Sequence, residues 1–161
     1  MENLPLLKYL SARHKRHDRP GRCDWLVGAA LLVRRGPFDA VGGFDERIAL
    51  YYEDADLCLR LRDTGWETHF TPAAVVTHLG GASSHAAFGS REEVVVRYAA
   101  ARARFIRRRY GLRTFARYRA GYGALLAGRR FAARLRRDSA AERLARRQGE
   151  IIAQQFGDEK G

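Results

Sequence analysis

The sequence has few cysteines and no long apolar run, and both shortages narrow the classes of protein to consider. Among its 161 residues only Cys23 and Cys58 are cysteines, and they do not form a CxxC pair. Such a pattern provides neither a disulfide framework nor a zinc site. No stretch approaches the roughly 18 apolar residues of a membrane-spanning helix, and the first residues lack the apolar core of a signal peptide. We therefore expect a cytoplasmic protein, with any membrane contact peripheral and at the inner face.

Positive charge is concentrated in the second half of the chain. The apolar content of 46% and the aromatic content of 11% are typical of a folded core. Residues 91–147 contain eighteen arginines and four acidic residues, a net charge of +14, whereas the remaining residues together sum to −2. This contrast predicts a basic N-terminal segment (1–22), a globular α/β unit (23–90) and an arginine-rich helical tail (91–161). Such a tail suits polyanions, and phospholipid head groups, nucleic acid and an acidic partner all qualify.

Three apolar segments indicate strands. The run over residues 25–33 is bounded by charge, which predicts a strand buried on both faces, and Gly28 within it predicts a bulge or a close backbone approach. Alternation over residues 66–70 predicts a half-buried strand. Residues 73–78 form a further short extended run, followed by a small-residue loop at 79–84.

Other segments indicate helices. Residues 37–41 predict a short helical turn that Gly42 and Gly43 close. A longer helix is predicted from Asp54 to Thr64. From Arg91 onward alanine and arginine dominate, which predicts two or three helices with breaks near Gly111 and at Gly121–Gly123.

Three carboxylates stand together at the start of the predicted Asp54–Thr64 helix. Glu53, Asp54 and Asp56 follow a pair of tyrosines. A carboxylate at this place is stabilised by first-turn amides and by the helix dipole. It is then held rigidly, which suits a general base that takes a proton from a hydroxyl. The other interpretation is that all three are ordinary first-turn acids, and the residues alone leave both open.

His78 precedes a loop of small residues that contains Gly80, Gly81, Ser83 and Ser84. The backbone amides of such a loop suit close contact with an anionic group. An imidazole beside it suits a divalent ion that also holds a diphosphate. The other interpretation is a structural histidine at a strand end.

Several segments in this order are similar to one enzyme family. They are Asp24–Ala30, Val41–Glu46, Tyr51–Arg60, Gly65-Trp66, Pro72-Ala73 and His78–Ser84. Over residues 20–110 they resemble the second half of family 2 glycosyltransferases, in particular the rhamnosyltransferase-like and galactofuranosyltransferase-like members. The resemblance implies an α/β, partial GT-A (nucleotide-diphospho-sugar transferase) fold with a C-terminal helical extension, in which residues 23–90 are the catalytic and acceptor half.

The resemblance also implies a reaction and the residues that perform it. The expected activity is inverting transfer of a sugar from a nucleotide-sugar donor to a hydroxyl of a glycan or lipid-linked acceptor, in polysaccharide or cell-envelope synthesis. By position in the motifs, Asp54 is the expected base, and His78 is expected to join a divalent metal (Mg²⁺ or Mn²⁺) under the donor diphosphate. The residues expected to line the sugar and acceptor site are Trp25, Gly28, Ala29, Glu53 and Asp56.

The sequence departs from the family pattern at its start. The residues before Asp24 contain no Asp-x-Asp, which in the family holds the metal in the donor-binding half. We therefore expect either a partner chain that supplies this half, or a non-catalytic fragment or scaffold protein.

The basic tail has three interpretations of its own, one of which is a solvated arginine-rich helix that reflects only a GC-rich coding bias. In the resembling family this region is a helix that often docks at the membrane surface, and aromatic residues continue such a pattern here. They are Phe115, Tyr118, Tyr122 and Phe131. A nucleic-acid-binding protein is the alternative from another class, although no recognised nucleic-acid motif is present.

Overall fold

The computed structural model describes residues 18–48, 50–79 and 89–155, which fall into two compact units divided after Leu79. The first unit contains β1 (Gly21–Cys23), α1 (Arg35–Ala40), α2 (Glu53–Asp63) and β2 (Thr68–Phe70). The second contains α3 (Arg91–Leu135) and α4 (Ser139–Gln154). Residues 1–17 of the predicted N-terminal segment and residues 80–84 of the predicted small-residue loop lie outside the described residues.

The sheet of the first unit has two short antiparallel strands. Gly21 of β1 stands opposite Phe70 of β2, and Cys23 stands opposite Thr68. The strand predicted at 66–70 is therefore confirmed in its last three residues. Among the described residues these are the only strands, so the expected α/β character is present only as this small sheet beside the helices.

The strands predicted at 25–33 and 73–78 are wrong. Residues 28–30 form a turn instead, because the Gly28 amide bonds to a side chain and not to a neighbouring strand. Leu32 is fully exposed and Val75 is 93% exposed. An apolar run becomes a strand only when a partner strand accepts its backbone hydrogen bonds, and sequence pattern alone does not supply that partner.

Helix α1 and its closing turn confirm the prediction for residues 37–41. The Val41 amide donates to the Pro37 carbonyl, and the chain then turns through Gly42 and Gly43, whose φ angles are +76° and +67°. A Cβ on Gly43 would lie 3.2 Å from the Phe38 ring. Position 43 thus requires glycine both for its backbone conformation and for the space beside Phe38.

Helix α2 spans Glu53–Asp63, one residue earlier than predicted at each end. It ends in a Schellman motif: Gly65 has φ +91°, the Gly65 amide donates to the Arg62 carbonyl, and the Trp66 amide donates to the Leu61 carbonyl. One side of the helix supplies most of the unit's core. Among the described residues of the unit, the buried apolar ones are Cys23, Tyr52, Ala55, Leu57, Cys58 and Leu59.

The second unit is built from helices that fold back on one another. Ser90 caps α3, since its hydroxyl accepts from the Glu93 amide at 3.2 Å. Gly111 interrupts α3 with φ 78° and ψ 175°. Arg102 Nε donates to Tyr118 Oη at 3.0 Å, whereas sixteen residues of continuous helix would separate them by about 24 Å. The predicted break at Gly111 is therefore confirmed.

The predicted break at Gly121–Gly123 is wrong, because α3 continues through both glycines to Leu135. A glycine destabilises a helix by only about 1 kcal/mol relative to alanine. Packing of the residues around Gly121 and Gly123 compensates for this loss. Tyr118 and Leu126 are buried, and the Tyr118 and Tyr122 rings stack at 5.6 Å.

A tight connection joins α3 to α4. Arg137 adopts a left-handed conformation with φ 55°, and Asp138 then caps α4 by accepting from the Ala141 amide at 2.9 Å. Asp138-Ser139 is a sequence signal for the start of a helix, because aspartate is a favoured N-cap residue, and the helix boundaries predicted above do not use it.

The aromatic residues of the tail divide between the interior and the surface. Phe115 is fully buried and Tyr118 is 3% exposed, whereas Phe131 is 65% exposed. Phe115 and Tyr118 therefore contribute to helix packing rather than to the outward-facing surface we expected. Within the described residues, every helix is too short or too polar to cross a bilayer.

Candidate functional site

Asp54 occupies the first turn of α2 and is 9% exposed. Its Oδ2 accepts from the Gly28 amide at 2.7 Å, and its Oδ1 accepts from the Ala55 amide at 2.7 Å. Two backbone donors and the helix N-terminus thus place positive partial charge around this carboxylate. An ionised carboxylate offers about four lone-pair sites, so each oxygen retains one for a further donor.

The loop that contains Gly28 approaches Asp54 closely. A Cβ on Gly28 would lie 3.4 Å from the Asp54 Cβ, which is the short end of ordinary contact. This confirms the close backbone approach predicted for Gly28, and it identifies the group approached. A second tie holds the same loop, since Asp24 pairs with Arg62 of α2 at 3.7 Å.

The backbone immediately before Asp54 is strained. Tyr51 and Tyr52 are both left-handed, with φ 69° and 71°. This conformation costs a non-glycine residue about 1 kcal/mol or more, and such residues concentrate at functional sites. Tyr52 is also the N-cap of α2, yet its side chain makes no capping hydrogen bond. The capping role passes to Asp54, which accepts from the Ala55 amide itself.

Glu53 stands beside Asp54 and is half-buried. Its Oε2 is buried without a hydrogen-bond partner within the described part of the chain. Burial raises the pKa of the Glu53 carboxyl above its usual range, and the neighbouring Asp54 charge adds to this. An unsatisfied buried carboxylate oxygen beside a second carboxylate is well suited to receive a hydroxyl donor from a ligand.

Asp56 belongs to a three-way contact that sequence reasoning identified only in part. Arg60 Nε donates to Asp56 Oδ2 at 2.7 Å, which confirms the pairing suggested by their i,i+4 spacing. The same guanidinium donates from Nη1 to the Val41 carbonyl at 2.6 Å and from Nη2 to the Gly43 carbonyl at 2.7 Å. Arg60 therefore fastens the turn after α1 to the acidic helix, a role that the i,i+4 spacing alone does not indicate.

The remaining residues predicted for the acceptor site, Trp25 and Ala29, flank Gly28 in the same loop. Trp25 is half-buried and Ala29 is exposed. The loop thus brings Gly28 to the carboxylate, with Trp25 and Ala29 on either side of it. Contact of these two residues with a ligand stays a prediction.

His78 lies in an exposed segment after β2 that has no regular structure. Among residues 18–48, 50–79 and 89–155, no three His, Cys, Asp or Glu side chains converge in a way that would hold a metal ion. The described residues therefore do not fit a protein-built metal site, and the steps derived below use none. The predicted role of His78 stays a prediction.

Comparison with known proteins identifies the family of the chain. A sequence model described as "Glycosyltransferase like family 2" matches residues 7–93, more than half of the chain, and these include all of the site residues above. No solved structure matches the chain.

Two of the relatives are rhamnosyltransferases by name. The N-acetylglucosaminyl-diphospho-decaprenol L-rhamnosyltransferase of Mycobacterium tuberculosis is 47% identical over 70 residues, which is 44% of this chain and 22% of that protein. The rhamnosyltransferase WbbL of Escherichia coli is 46% identical over 55 residues, which is 34% of this chain and 21% of that protein. The chain thus spans about a fifth of the length of these curated relatives. Because the family model covers more than half of the chain, the chain belongs to the glycosyltransferase-like family 2.

Proposed function

We propose that this chain carries the acceptor-side, catalytic half of an inverting glycosyltransferase, with Asp54 as the general base. The observation that carries the proposal is the setting of Asp54. Its carboxylate is buried at a helix N-terminus, fixed by the Gly28 amide, and retains free lone pairs. A base held in this way needs little reorganisation when it receives a proton.

The chemistry follows from the position of this carboxylate. A hydroxyl of the acceptor donates its proton to Asp54 while its oxygen bonds to the anomeric carbon of the donor sugar. The bond from that carbon to the diphosphate breaks on the opposite side, and the nucleoside diphosphate leaves with the electron pair. The configuration at the anomeric carbon is therefore inverted. The unpartnered Oε2 of Glu53 is placed to accept a second hydroxyl of the acceptor or sugar.

The names of the relatives support a substrate class. One relative transfers L-rhamnose to N-acetylglucosaminyl-diphospho-decaprenol by name, and the other is also a rhamnosyltransferase. We accordingly propose a nucleotide-activated, rhamnose-like donor sugar and a glycan or lipid-linked acceptor of cell-envelope synthesis.

Exposed apolar residues of the first unit support a partner polypeptide. Leu32 is fully exposed, Val75 is 93% exposed and Leu79 is 85% exposed. Burial of these apolar side chains against another polypeptide would be favourable, because it would remove apolar surface from water. We propose that polypeptide equivalent to the rest of the relatives covers it and supplies the donor-binding half.

A segment exchange tests the proposed function. The 70-residue matched segment of the mycobacterial relative is replaced by its counterpart from this chain, and transfer from nucleotide-sugar donors to a lipid-linked acceptor is measured. We expect a folded, active chimera. Asp54→Asn should lower kcat by at least about 10²-fold, the usual contribution of a general base. Glu53→Gln is the matched control, since it removes a carboxylate one residue away, and it should raise KM more than it lowers kcat.

Two results would overturn the proposal. A folded chimera without transfer activity would favour a non-catalytic fragment or scaffold. A chimera in which Asp54→Asn and Glu53→Gln have equal kcat values would mean that Asp54 is not the base.

A further inference from the structure

The segment 112–135 of α3 has an inner and an outer side. The inner side packs within the second unit through four buried residues, Phe115, Tyr118, Leu126 and Ala133. At 3.6 residues per turn the opposite side carries a different set, which we call the outer face. All residues of the outer face are exposed in the described part of the chain: Arg113, Arg117, Ala120, Ala124, Gly128, Phe131 and Leu135.

Bulky apolar side chains occupy one end of the outer face, and arginines occupy the other. Phe131 is 65% exposed and Leu135 is 72% exposed, the two largest exposed fractions among the large apolar side chains described in the second unit. Arg113 and Arg117 lie at the opposite end. Only alanine and glycine lie between the two ends, so another helix can approach the middle of the face closely.

The outer face is self-complementary about Ala124. Arg117 lies seven residues before Ala124, and Phe131 lies seven residues after it. Arg113 lies eleven residues before Ala124, and Leu135 lies eleven residues after it. A two-fold axis beside Ala124 would therefore bring each arginine of one copy against a bulky apolar side chain of another. A contact of this kind uses the same surface on both copies, as an isologous interface requires.

We propose that the outer face binds a second copy of the chain, in an antiparallel dimer whose two-fold axis passes beside Ala124. Arg117 of one copy lies over the Phe131 ring of the other, where the guanidinium gains a cation–π contact and its aliphatic stem covers apolar surface. Arg113 covers Leu135 with its stem in the same way. The contact is one helix wide, so we expect a weak dimer that forms in the micromolar range. The inference stands independently of the glycosyl transfer proposed above.

The outer-face arginines of the two copies stay far apart in this arrangement. Along an antiparallel pair, Arg117 lies about 21 Å from its own copy and Arg113 about 33 Å, since each helical residue adds 1.5 Å. Charges at these separations are largely screened at physiological salt, where the Debye length is about 8 Å. Added salt should strengthen the dimer by screening the remaining repulsion between two basic units, whereas it would weaken binding to nucleic acid.

Sedimentation velocity of the whole chain over about 1–500 µM, at two salt concentrations, measures the association. We expect a monomer–dimer equilibrium that shifts toward the dimer at the higher salt concentration. Phe131→Ala should weaken dimerisation at least about tenfold, because each dimer loses two buried rings. Leu125→Ala is the matched control, since Leu125 is 47% exposed on another side of the same helix, and it should leave the dissociation constant unchanged. Circular dichroism should show the same helix content in both variants.

Cysteine cross-linking tests the register of the two copies. The native cysteines, Cys23 and Cys58, are both buried and should not react in the folded chain. Ala124→Cys places the new thiols of two copies side by side at the two-fold axis, within the Cα separation of about 7 Å that a disulfide allows. Ala120→Cys is the control on the same face, because its two copies lie about 12 Å apart along the helix. Mild oxidation should therefore give a covalent dimer with Ala124→Cys and not with Ala120→Cys.

Three outcomes would overturn the proposal. The first is a monomer at every concentration. The second is a dimer that Phe131→Ala leaves unchanged, which would assign the contact to another surface, such as the exposed apolar residues of the first unit. The third is equal cross-linking of Ala124→Cys and Ala120→Cys, which would exclude the two-fold axis beside Ala124.

Discussion

Arg60 should contribute more to the free energy of unfolding of the first unit than any of the surface arginines of that unit. Its guanidinium makes three charge-assisted hydrogen bonds, one to the Asp56 carboxylate and two to backbone carbonyls of the turn at residues 41–43. Its side chain is 27% exposed, so water would replace part of what is lost. We expect Arg60→Ala to reduce the free energy of unfolding by about 2–3 kcal/mol.

Urea unfolding followed by tryptophan fluorescence measures this change. Trp25 and Trp66 are the two tryptophans of the chain, and both lie in the first unit, so the signal reports on that unit. With a slope of about 1–2 kcal/mol/M, the midpoint should fall by roughly 1–3 M.

Arg35→Ala is the matched control, since Arg35 also pairs with an acid four residues away. That pair, with Asp39, is a surface pair in which Arg35 is 88% exposed. Pairs of this kind contribute little, so the midpoint should barely move. If Arg60→Ala shifts the midpoint no further than Arg35→Ala, then Arg60 does not fasten the turn to α2 and our account of the site's rigidity is incorrect.

Further predictions concern single positions in the first unit. Gly43→Ala should destabilise the first unit by about 1–3 kcal/mol in the same urea assay, because Gly43 has a left-handed backbone and an added Cβ would approach the Phe38 ring. The control is Gly36→Ala, where an added Cβ would meet no other atom. The pKa of the Glu53 carboxyl is raised in the folded state, so the free energy of unfolding should fall as the pH rises from the ordinary carboxyl range through the raised pKa. Glu53→Gln should flatten this part of the profile of stability against pH. An unchanged profile would contradict the burial assigned to Glu53. Calorimetric titration with Mn²⁺ and nucleoside diphosphates tests the predicted metal role of His78: since the described residues build no metal site, we expect no metal-dependent binding to this chain alone, and such binding that His78→Ala abolishes would contradict that expectation.

The helices of the first unit could be predicted because their signals are local. Gly42 and Gly43 end α1, acids open α2, and the Asp56–Arg60 spacing places two side chains on one side of a helix. The strand predicted at 25–33 failed because a strand depends on partners elsewhere in the chain. The same limit applies to the site: the sequence indicated that Asp54 mattered, whereas the amide that holds it comes from 26 residues earlier.

The second unit shows how two glycines of similar appearance act differently. Gly111 has a backbone conformation that is essentially reserved for glycine, and it breaks α3. Gly121 is helical, because Tyr118 and Leu126 on its neighbouring turns are anchored by packing. Composition does not distinguish Gly111 from Gly121, because the difference depends on which neighbouring side chains are buried.

The reversal at Gly111 has a consequence for assembly. An uninterrupted α3 of 45 residues would be a rod about 68 Å long. The parts of α3 before and after Gly111 would no longer meet. The partners of Arg102, Phe115 and Tyr118 would then have to come from another molecule. Any residue other than glycine at position 111 favours that straight form, so Gly111→Ala should yield a domain-swapped dimer in which each chain completes the helical unit of the other. One residue without a side chain thus lets a single chain complete this helical unit.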